Sequence, residues 1–183
     1  MSNATSGIYT VSVPAQQSPL VAPDQARVRK LKRHLVESLR DLRQAKRPEK
    51  LIQPPSAEPE GFVADVVRAG CTQCQGFCCR GGGEHAYLDE RTMARVRRDN
   101  PDLNAAGIIA LYTRSLASPG YEGSCLFHGS AGCTLPKPLR AELCNQYYCT
   151  GLWDFMRTTP LPEKVVIAAS RGGITRISGL IMK

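Results

Sequence analysis

Cysteine is the residue type in this chain whose number and spacing most clearly indicate chemistry. All eight cysteines lie between Cys71 and Cys149, and the first four fall within nine residues, CTQCQGFCC. The eight are Cys71, Cys74, Cys78, Cys79, Cys125, Cys133, Cys144 and Cys149. Core packing alone does not account for this density, so we expect either disulfides or a metal bound by thiolates.

The spacing within the cluster suits thiolate ligation. Cys71-x-x-Cys74 places two sulfurs within reach of one ion from a tight turn, and Cys78 or Cys79 follows closely enough to join them. Because consecutive side chains diverge, we expect Cys78 and Cys79 to face different directions. Cys125 and Cys133 flank a glycine-containing turn and predict a knuckle or hairpin. Cys144 and Cys149 are expected about one helical turn apart.

The donor set restricts the metal to zinc or iron. Sulfur ligands exclude magnesium and calcium, which take oxygen ligands. Eight thiolates permit two zinc sites of four sulfurs, one such site with spare cysteines, or an iron–sulfur cluster, and the sequence leaves these open. His85 and His128 lie near the cysteines and could replace a sulfur or only form local hydrogen bonds.

The start of the chain predicts a cytoplasmic protein. Residues 1–26 contain no Lys or Arg and no long apolar run, as a secretion signal would require. No segment is apolar over the length of a membrane span. In a reducing compartment, clustered cysteines indicate metal ligands more than disulfides. A redox-active C-x-x-C pair and a catalytic cysteine are weaker alternatives, since neither accounts for the other cysteines.

The charge of the chain is concentrated in one segment. The formal net charge is +8, of which the stretch from Asp24 to Lys50 carries most. Apolar residues at three- and four-residue steps predict an amphipathic helix over residues 24–47: Val28, Leu31, Leu35, Leu39 and Leu42. This helix is expected to pack on the domain or on a second copy, or to contact an unknown protein, nucleic acid or acidic membrane surface.

The whole chain predicts an α+β protein that is small, mostly helical and loop-rich, and stabilised by metal. Residues 1–23 are expected to be disordered, and residues 24–60 to form the basic helix and a Pro-rich linker. Residues 61–183 are expected to form the cysteine-cluster metal-binding domain. Within it, residues 81–83 should be a flexible glycine turn, residues 89–100, 102–118 and 139–148 helical, and the C-terminus a β-hairpin around Arg171-Gly172-Gly173.

Two strings together resemble a bacterial cysteine-cluster family with a C-x2-C-x2/3-C-C signature. They are CTQCQGFCC and CLFHGSAGCTLPKPLRAELCNQYYC, and the resemblance covers residues 68–150. Cys125-Leu126-Phe127, Gly132-Cys133 and the Arg140 to Cys144 segment match its later elements, with Ala141 in place of the usual proline. The resemblance implies a zinc- or iron-chelating protein without an assigned reaction.

A related group carries a similar cysteine set, the flagellin lysine N-methylases, which use S-adenosylmethionine. The chain lacks the strand–glycine-loop–helix pattern typical of a Rossmann site for that cofactor. An iron–sulfur protein with redox or methyltransferase-like activity is therefore the alternative to a metal-chelating protein. No residue is predicted to be catalytic, and whether the chain is an enzyme stays open.

Overall fold

The computed structural model describes residues 7–46, 48–52 and 57–183. The predicted α+β class is confirmed. Over the described residues the helices are α1 (Gln25–Gln44), α2 (Gly61–Cys74), α3 (Glu90–Asp99), α4 (Ala105–Arg114), α5 (Glu142–Gln146) and α6 (Thr150–Met156). The strands are β1 (Ile8–Pro14), β2 (Leu20–Val21), β3 (Gly120–Tyr121), β4 (His128–Gly129), β5 (Gly132–Cys133), β6 (Lys164–Arg171), β7 (Ile174–Ile177) and β8 (Ile181–Met182). Short 3-10 helices cover Pro48–Leu51, Phe77–Gly82 and Lys137–Leu139.

The described residues form two compact units. Unit 1 comprises residues 7–17, 57–77 and 148–183, and unit 2 comprises residues 18–46, 48–52 and 78–147. Each unit has its own cluster of buried apolar side chains. These units do not coincide with the predicted segments 1–23, 24–60 and 61–183, and the predicted domain boundaries stay a prediction. Segments distant in the sequence build each unit, and long-range pairing of this kind leaves no local signal at its boundary.

Unit 1 is a sheet centred on β6, with α2 and α6 packed on it. Strand β1 runs parallel to β6, while β7 and β8 pair antiparallel with it. Every second residue of β6 is buried, namely Val165, Ile167 and Ala169, as expected for a strand with one face on a core. The predicted C-terminal hairpin is confirmed by the β6–β7 pairing, and Gly172 and Gly173 form its turn with φ of 50° and 87°.

The predicted disorder of residues 1–23 is wrong over the described residues 7–23. Residues 8–14 form β1, which pairs along its whole length with β6, and Leu20–Val21 form β2. Val11 and Val13 are buried in the core of unit 1. The alternation in IYTVSV is a period-two strand pattern, and it outweighs the polar, uncharged composition of the surrounding stretch. Residues 1–6 lie outside the described residues.

Unit 2 is built on α1, which confirms the predicted helix. Asp24 caps its start by accepting the Ala26 amide at 2.8 Å, and the helix ends at Gln44, before the predicted stop at Pro48. The predicted stripe is fully buried and packs with α3 and α4: Val28, Leu31, Leu35, Leu39 and Leu42. The helix is therefore a scaffold element of unit 2. Of the predicted linker, residues 53–56 lie outside the described residues.

Side-chain caps fix the starts of α3 and α4. Asp89 accepts the Thr92 amide and Asn104 accepts the Gly107 amide, each at 2.9 Å. The helix predicted from residue 102 therefore begins later, and the one predicted over 139–148 shortens to α5. No helix in the described residues is long and apolar enough to cross a bilayer.

Truncating the leucine stripe tests whether α1 belongs to the core. Leu35 is 0% exposed and its neighbour Val36 is 54% exposed. We expect Leu35→Ala to lower the free energy of unfolding by about 2–5 kcal/mol, because it removes buried methyl groups and leaves a cavity. The control Val36→Ala should change it by less than about 0.5 kcal/mol. Equal stability of the two variants in urea unfolding would show that α1 is a detachable arm.

Candidate metal centre

Unit 2 brings together five of the eight predicted ligands from four separate segments. Cys78 and Cys79 lie on the 3-10 helix Phe77–Gly82, and Cys125 lies on the loop between β3 and β4. Cys133 ends β5, and Cys144 lies in α5. In the sequence, α3 and α4 lie between the Cys78-Cys79 pair and the other three cysteines. Because both helices pack on α1, the chain folds back and the two cysteine groups come close together.

A direct backbone contact links the first cysteine group to the second. The Cys125 amide donates to the Cys79 carbonyl at 3.0 Å, and the Leu126 amide donates to the Gly83 carbonyl at 3.3 Å. A Cβ placed on Gly82 would lie 3.0 Å from the Cys125 Cβ and 3.3 Å from its Sγ. A Cβ at position 82 would therefore make the Cys125 side chain shift by a few tenths of an ångström.

The predicted turn at residues 81–83 is wrong for Gly81 and Gly82, whereas Gly83 does lie in a turn, with φ of 44°. Gly81 and Gly82 belong to the 3-10 helix, and a Cβ on Gly81 would collide with the Tyr87 hydroxyl. Tyr87 itself has φ of 56°, a conformation rare for residues other than glycine. Gly81 and Gly82 are thus packed positions, Gly81 against Tyr87 and Gly82 against Cys125.

The hairpin predicted between Cys125 and Cys133 is confirmed. Strands β4 and β5 pair antiparallel, with His128 opposite Cys133. The Thr134 amide donates to the Phe127 carbonyl at 2.8 Å and extends the pairing. This short ladder returns the chain so that Cys133 lies next to the loop that carries Cys125.

Two arginines fix the segment between Cys133 and Cys144. Arg140 donates from Nε to the Leu135 carbonyl at 2.7 Å and from a terminal nitrogen to the Cys133 carbonyl at 3.4 Å. Arg95 on α3 forms an ion pair with Glu142 at 2.7 Å and also donates to the Arg140 carbonyl. Together they position α5, and with it Cys144, against α3.

Ala141 has the backbone conformation that proline favours. Its φ is −58° and its ψ is 146°, and the preceding Arg140 is extended. Ala141 in place of the proline of the cysteine-cluster pattern therefore does not require a different backbone conformation.

The sulfur groups of Cys78 and Cys79 hydrogen-bond to each other, so the expectation that they face different directions is wrong. On the tight 3-10 turn neighbouring side chains diverge less than on an extended strand. The bond lowers the pKa of Cys78 to about 7, because the Cys79 thiol donates to the Cys78 thiolate. The same bond, followed by burial, raises the pKa of Cys79.

The remaining sulfurs of unit 2 belong to the same electrostatic cluster. Burial raises the pKa of Cys125 to about 12, and the neighbouring Cys133 and Cys144 contribute in the same direction. Burial also raises the pKa of Cys144 to about 11, with Cys133 and Cys78 adding to it. Without a cation, several thiolates in this space would repel one another.

The thiols are near one another without being assembled as ligands. Within residues 7–46, 48–52 and 57–183, no three or more His, Cys, Asp and Glu side chains are grouped closely enough to hold a metal ion. None of the eight cysteines is in a disulfide. The arrangement is therefore a reduced, electrostatically coupled cluster whose sulfurs would have to move closer together to ligate an ion.

Both histidines near the cysteines make local contacts. His85 Nδ1 accepts the Tyr87 amide at 2.9 Å, and its ring contacts His34 and Tyr87. His128 is buried, its Nδ1 is 2.8 Å from the Ser124 hydroxyl, and its ring lies against Tyr121. These contacts fit the interpretation of both residues as local hydrogen-bonding groups.

The other three predicted ligands belong to unit 1. Cys71 and Cys74 lie on the last turn of α2, so the C-x-x-C pair is helical and not in the expected turn. Cys74 is buried, and its sulfur accepts the Phe77 amide at 3.3 Å. Cys149 is at the N-cap position of α6, where its side chain makes no capping hydrogen bond, and it packs against the apolar cluster of unit 1 that contains Cys74.

Sequence reasoning identified the cysteines but missed the residues that position them. Gly82 provides space, Tyr87 covers Gly81, and Arg95 and Arg140 hold the last segment. The run of three glycines beside Cys78 and Cys79 could have indicated close packing, because glycine lets another segment approach the backbone closely as well as allowing flexibility. The ion pair between Arg95 and Glu142 had no local signal.

Comparison with known proteins yields no relative for this chain: no family model matches it, and no curated protein or solved structure matches it significantly. The resemblance to the cysteine-cluster family therefore stays a prediction from the motifs.

Adding a methyl group at position 82 tests the close approach at the centre. Gly82→Ala should lower the free energy of unfolding by about 1–3 kcal/mol, because the Cys125 loop must shift to admit the Cβ. In the control Gly179→Ala the added Cβ meets no atom within 4 Å, and stability should not fall. Urea unfolding of both variants checks this, and unchanged stability of Gly82→Ala would contradict the packing described here.

Proposed function

We propose that this chain is a metal-binding protein in which the cysteines of unit 2 hold zinc or iron as thiolates. The observation that carries the proposal is the convergence of Cys78, Cys79, Cys125, Cys133 and Cys144 from four segments. Free thiols in such a cluster repel one another once ionised, and a divalent cation would offset that repulsion.

The donor set fits a zinc ion. Zinc prefers four ligands in a tetrahedron and binds cysteine sulfur at about 2.3 Å. Four of the five sulfurs would complete such a site. Cys78 and Cys79 already share a hydrogen bond, so either one could be the ligand while the other stays protonated beside it.

Binding would be coupled to local rearrangement, because the described side chains are not grouped at ligand distances. Short segments carry the sulfurs: a 3-10 turn, a loop, a two-residue strand and a five-residue helix. Such segments have few internal hydrogen bonds and can adjust more readily than a long helix. The binding free energy would then add directly to the stability of unit 2.

An iron–sulfur cluster is the second candidate, and one observation favours it. Cys125 and Cys133 pack against the apolar cluster of unit 2, and hydrophobic shielding of the sulfurs is one of the factors that tune such clusters. The activity would then be redox or methyltransferase-like, as the alternative from sequence proposes. An absorption spectrum of anaerobically purified protein separates the two, because zinc thiolates are colourless and iron–sulfur clusters are brown.

Three related expectations belong to the same proposal. The chain would be a member of the cysteine-cluster family, supported by the motifs and by the proline-like backbone at Ala141. It would work in the cytoplasm, where cysteines remain reduced, and no disulfide links the eight cysteines. The basic side of α1 would contact a partner, because its apolar face is already buried in unit 2.

Removing single thiols tests the proposal. Cys125→Ser and Cys133→Ser should each lower the bound metal per chain at least tenfold after dialysis against a mild chelator. The control Leu143→Ala changes an exposed side chain next to Cys144 and should keep the metal. Elemental analysis of zinc and iron measures the outcome.

The unit 1 thiols provide a second comparison. If the metal is held within unit 2, Cys71→Ser, which changes an exposed residue, should retain full metal content. Loss of metal in Cys71→Ser would mean that the ligand set extends beyond unit 2. Unchanged metal content in both Cys125→Ser and Cys133→Ser would contradict the proposal.

A further inference from the structure

One flank of α1 carries four exposed arginines. Arg29, Arg33, Arg40 and Arg43 follow steps of four, seven and three residues, which places them within an arc of about 80° on the helix. All four side chains are exposed, and the stripe spans about 21 Å of the helix axis. Val36 lies in the middle of the stripe and is also exposed.

The opposite flank of α1 is occupied by contacts within unit 2. Arg27 forms an ion pair with Glu84 at 3.1 Å and donates to the Ser124 carbonyl. His34 donates from Nε2 to the Leu88 carbonyl. The buried leucine face and the flank with Arg27 and His34 therefore fix the orientation of α1 within unit 2. The flank with the four arginines is exposed.

The stripe is separated from most of the acidic residues of α1. Glu37 falls outside the arc, on the far side of the exposed surface of the helix. Asp41 also falls outside it, and its ion pair with Arg40 is long at 3.8 Å and formed by two exposed side chains. Such a pair contributes little and is easily exchanged for a stronger anion.

The chemistry of the stripe fits phosphate groups in a row. Arginine presents a planar fork that matches phosphate and binds it with two parallel hydrogen bonds. Four such groups along a rigid helix match a linear polyanion with regularly spaced charges. A membrane surface fits less well, because an interfacial helix needs large apolar residues beside its basic ones and this stripe has only Val36.

A double strand fits better than a single strand. The sequence of α1 has no Phe, Tyr or Trp on which unpaired bases could stack. The major groove of B-form DNA admits an α-helix, whereas the major groove of A-form RNA is too deep and narrow for side chains to read. We propose that Arg29, Arg33, Arg40 and Arg43 bind the phosphate backbone of double-stranded DNA without sequence preference.

This inference rests on the partner role proposed for α1 and does not depend on the metal. Four phosphate contacts predict a slope of about −3.6 for the logarithm of the association constant against the logarithm of salt concentration. The affinity should then fall about 150-fold between 50 and 200 mM salt. Each arginine changed to glutamine should reduce the slope by about 0.9.

The test uses the full chain and fluorescent DNA duplexes of random sequence, with anisotropy recorded over a salt series. The variant R29Q/R33Q/R40Q/R43Q should lose the salt-dependent binding. The control R68Q/R114Q/K137Q/K183Q removes the same amount of charge from exposed positions outside α1. This control should keep most of the salt-dependent DNA binding. Metal content measured on the same samples should be unchanged in both variants, which separates this test from that of the metal proposal.

Three results would overturn the inference. The first is equal loss of DNA binding in the two variants, which would mean that only net charge matters. The second is tighter binding to polyglutamate or to phosphatidylserine vesicles than to duplex DNA at equal salt. The third is binding to single-stranded DNA or double-stranded RNA that exceeds binding to the duplex. Intact folding of both variants is verified by circular dichroism.

Discussion

The contact between the 3-10 turn at residues 77–82 and the Cys125 loop is the constraint on which the rest of unit 2 depends. The Cys125 amide donates to the Cys79 carbonyl, and Gly82 lies against Cys125 so closely that a Cβ there would meet the Cys125 Cβ at 3.0 Å. Between these segments the chain forms α3 and α4, which pack on the leucine stripe of α1. A helix far from the cysteines in the sequence thus fixes the distance between the two cysteine groups.

The electrostatics of the cluster follow from this packing. The hydrogen bond between Cys78 and Cys79 lowers the pKa of Cys78 and raises that of Cys79, and burial followed by neighbouring sulfurs raises the pKa values of Cys125 and Cys144. Crowded thiols of this kind are stable as neutral groups or as ligands of a cation, and unstable as several free thiolates. The two-residue strands and short helix that carry them offer little stability of their own. Metal binding would therefore stabilise the part of the fold that needs it most.

The sequence predicted those features that have a local pattern. The leucine spacing predicted α1, Asp89 predicted the start of α3, and the glycines after Arg171 predicted the turn of the C-terminal hairpin. It did not predict the pairing of β1 with β6, because the partner strand is at the other end of the chain. For the site, the residue types gave the ligand candidates. The division of the cysteines between two units and the close approach at Gly82 arise from tertiary packing, which spacing alone does not encode.

X-ray absorption at the edge of the bound metal is the most direct test of the central claim, that cysteine sulfurs of unit 2 are the ligands. Ligation by these sulfurs predicts a first shell made of sulfur only, with about four scatterers at about 2.3 Å for zinc. It also predicts that Cys125→Ser replaces one sulfur by a lighter atom or releases the metal. A first shell of oxygen and nitrogen at about 2.0–2.2 Å, unchanged in Cys125→Ser, would contradict it.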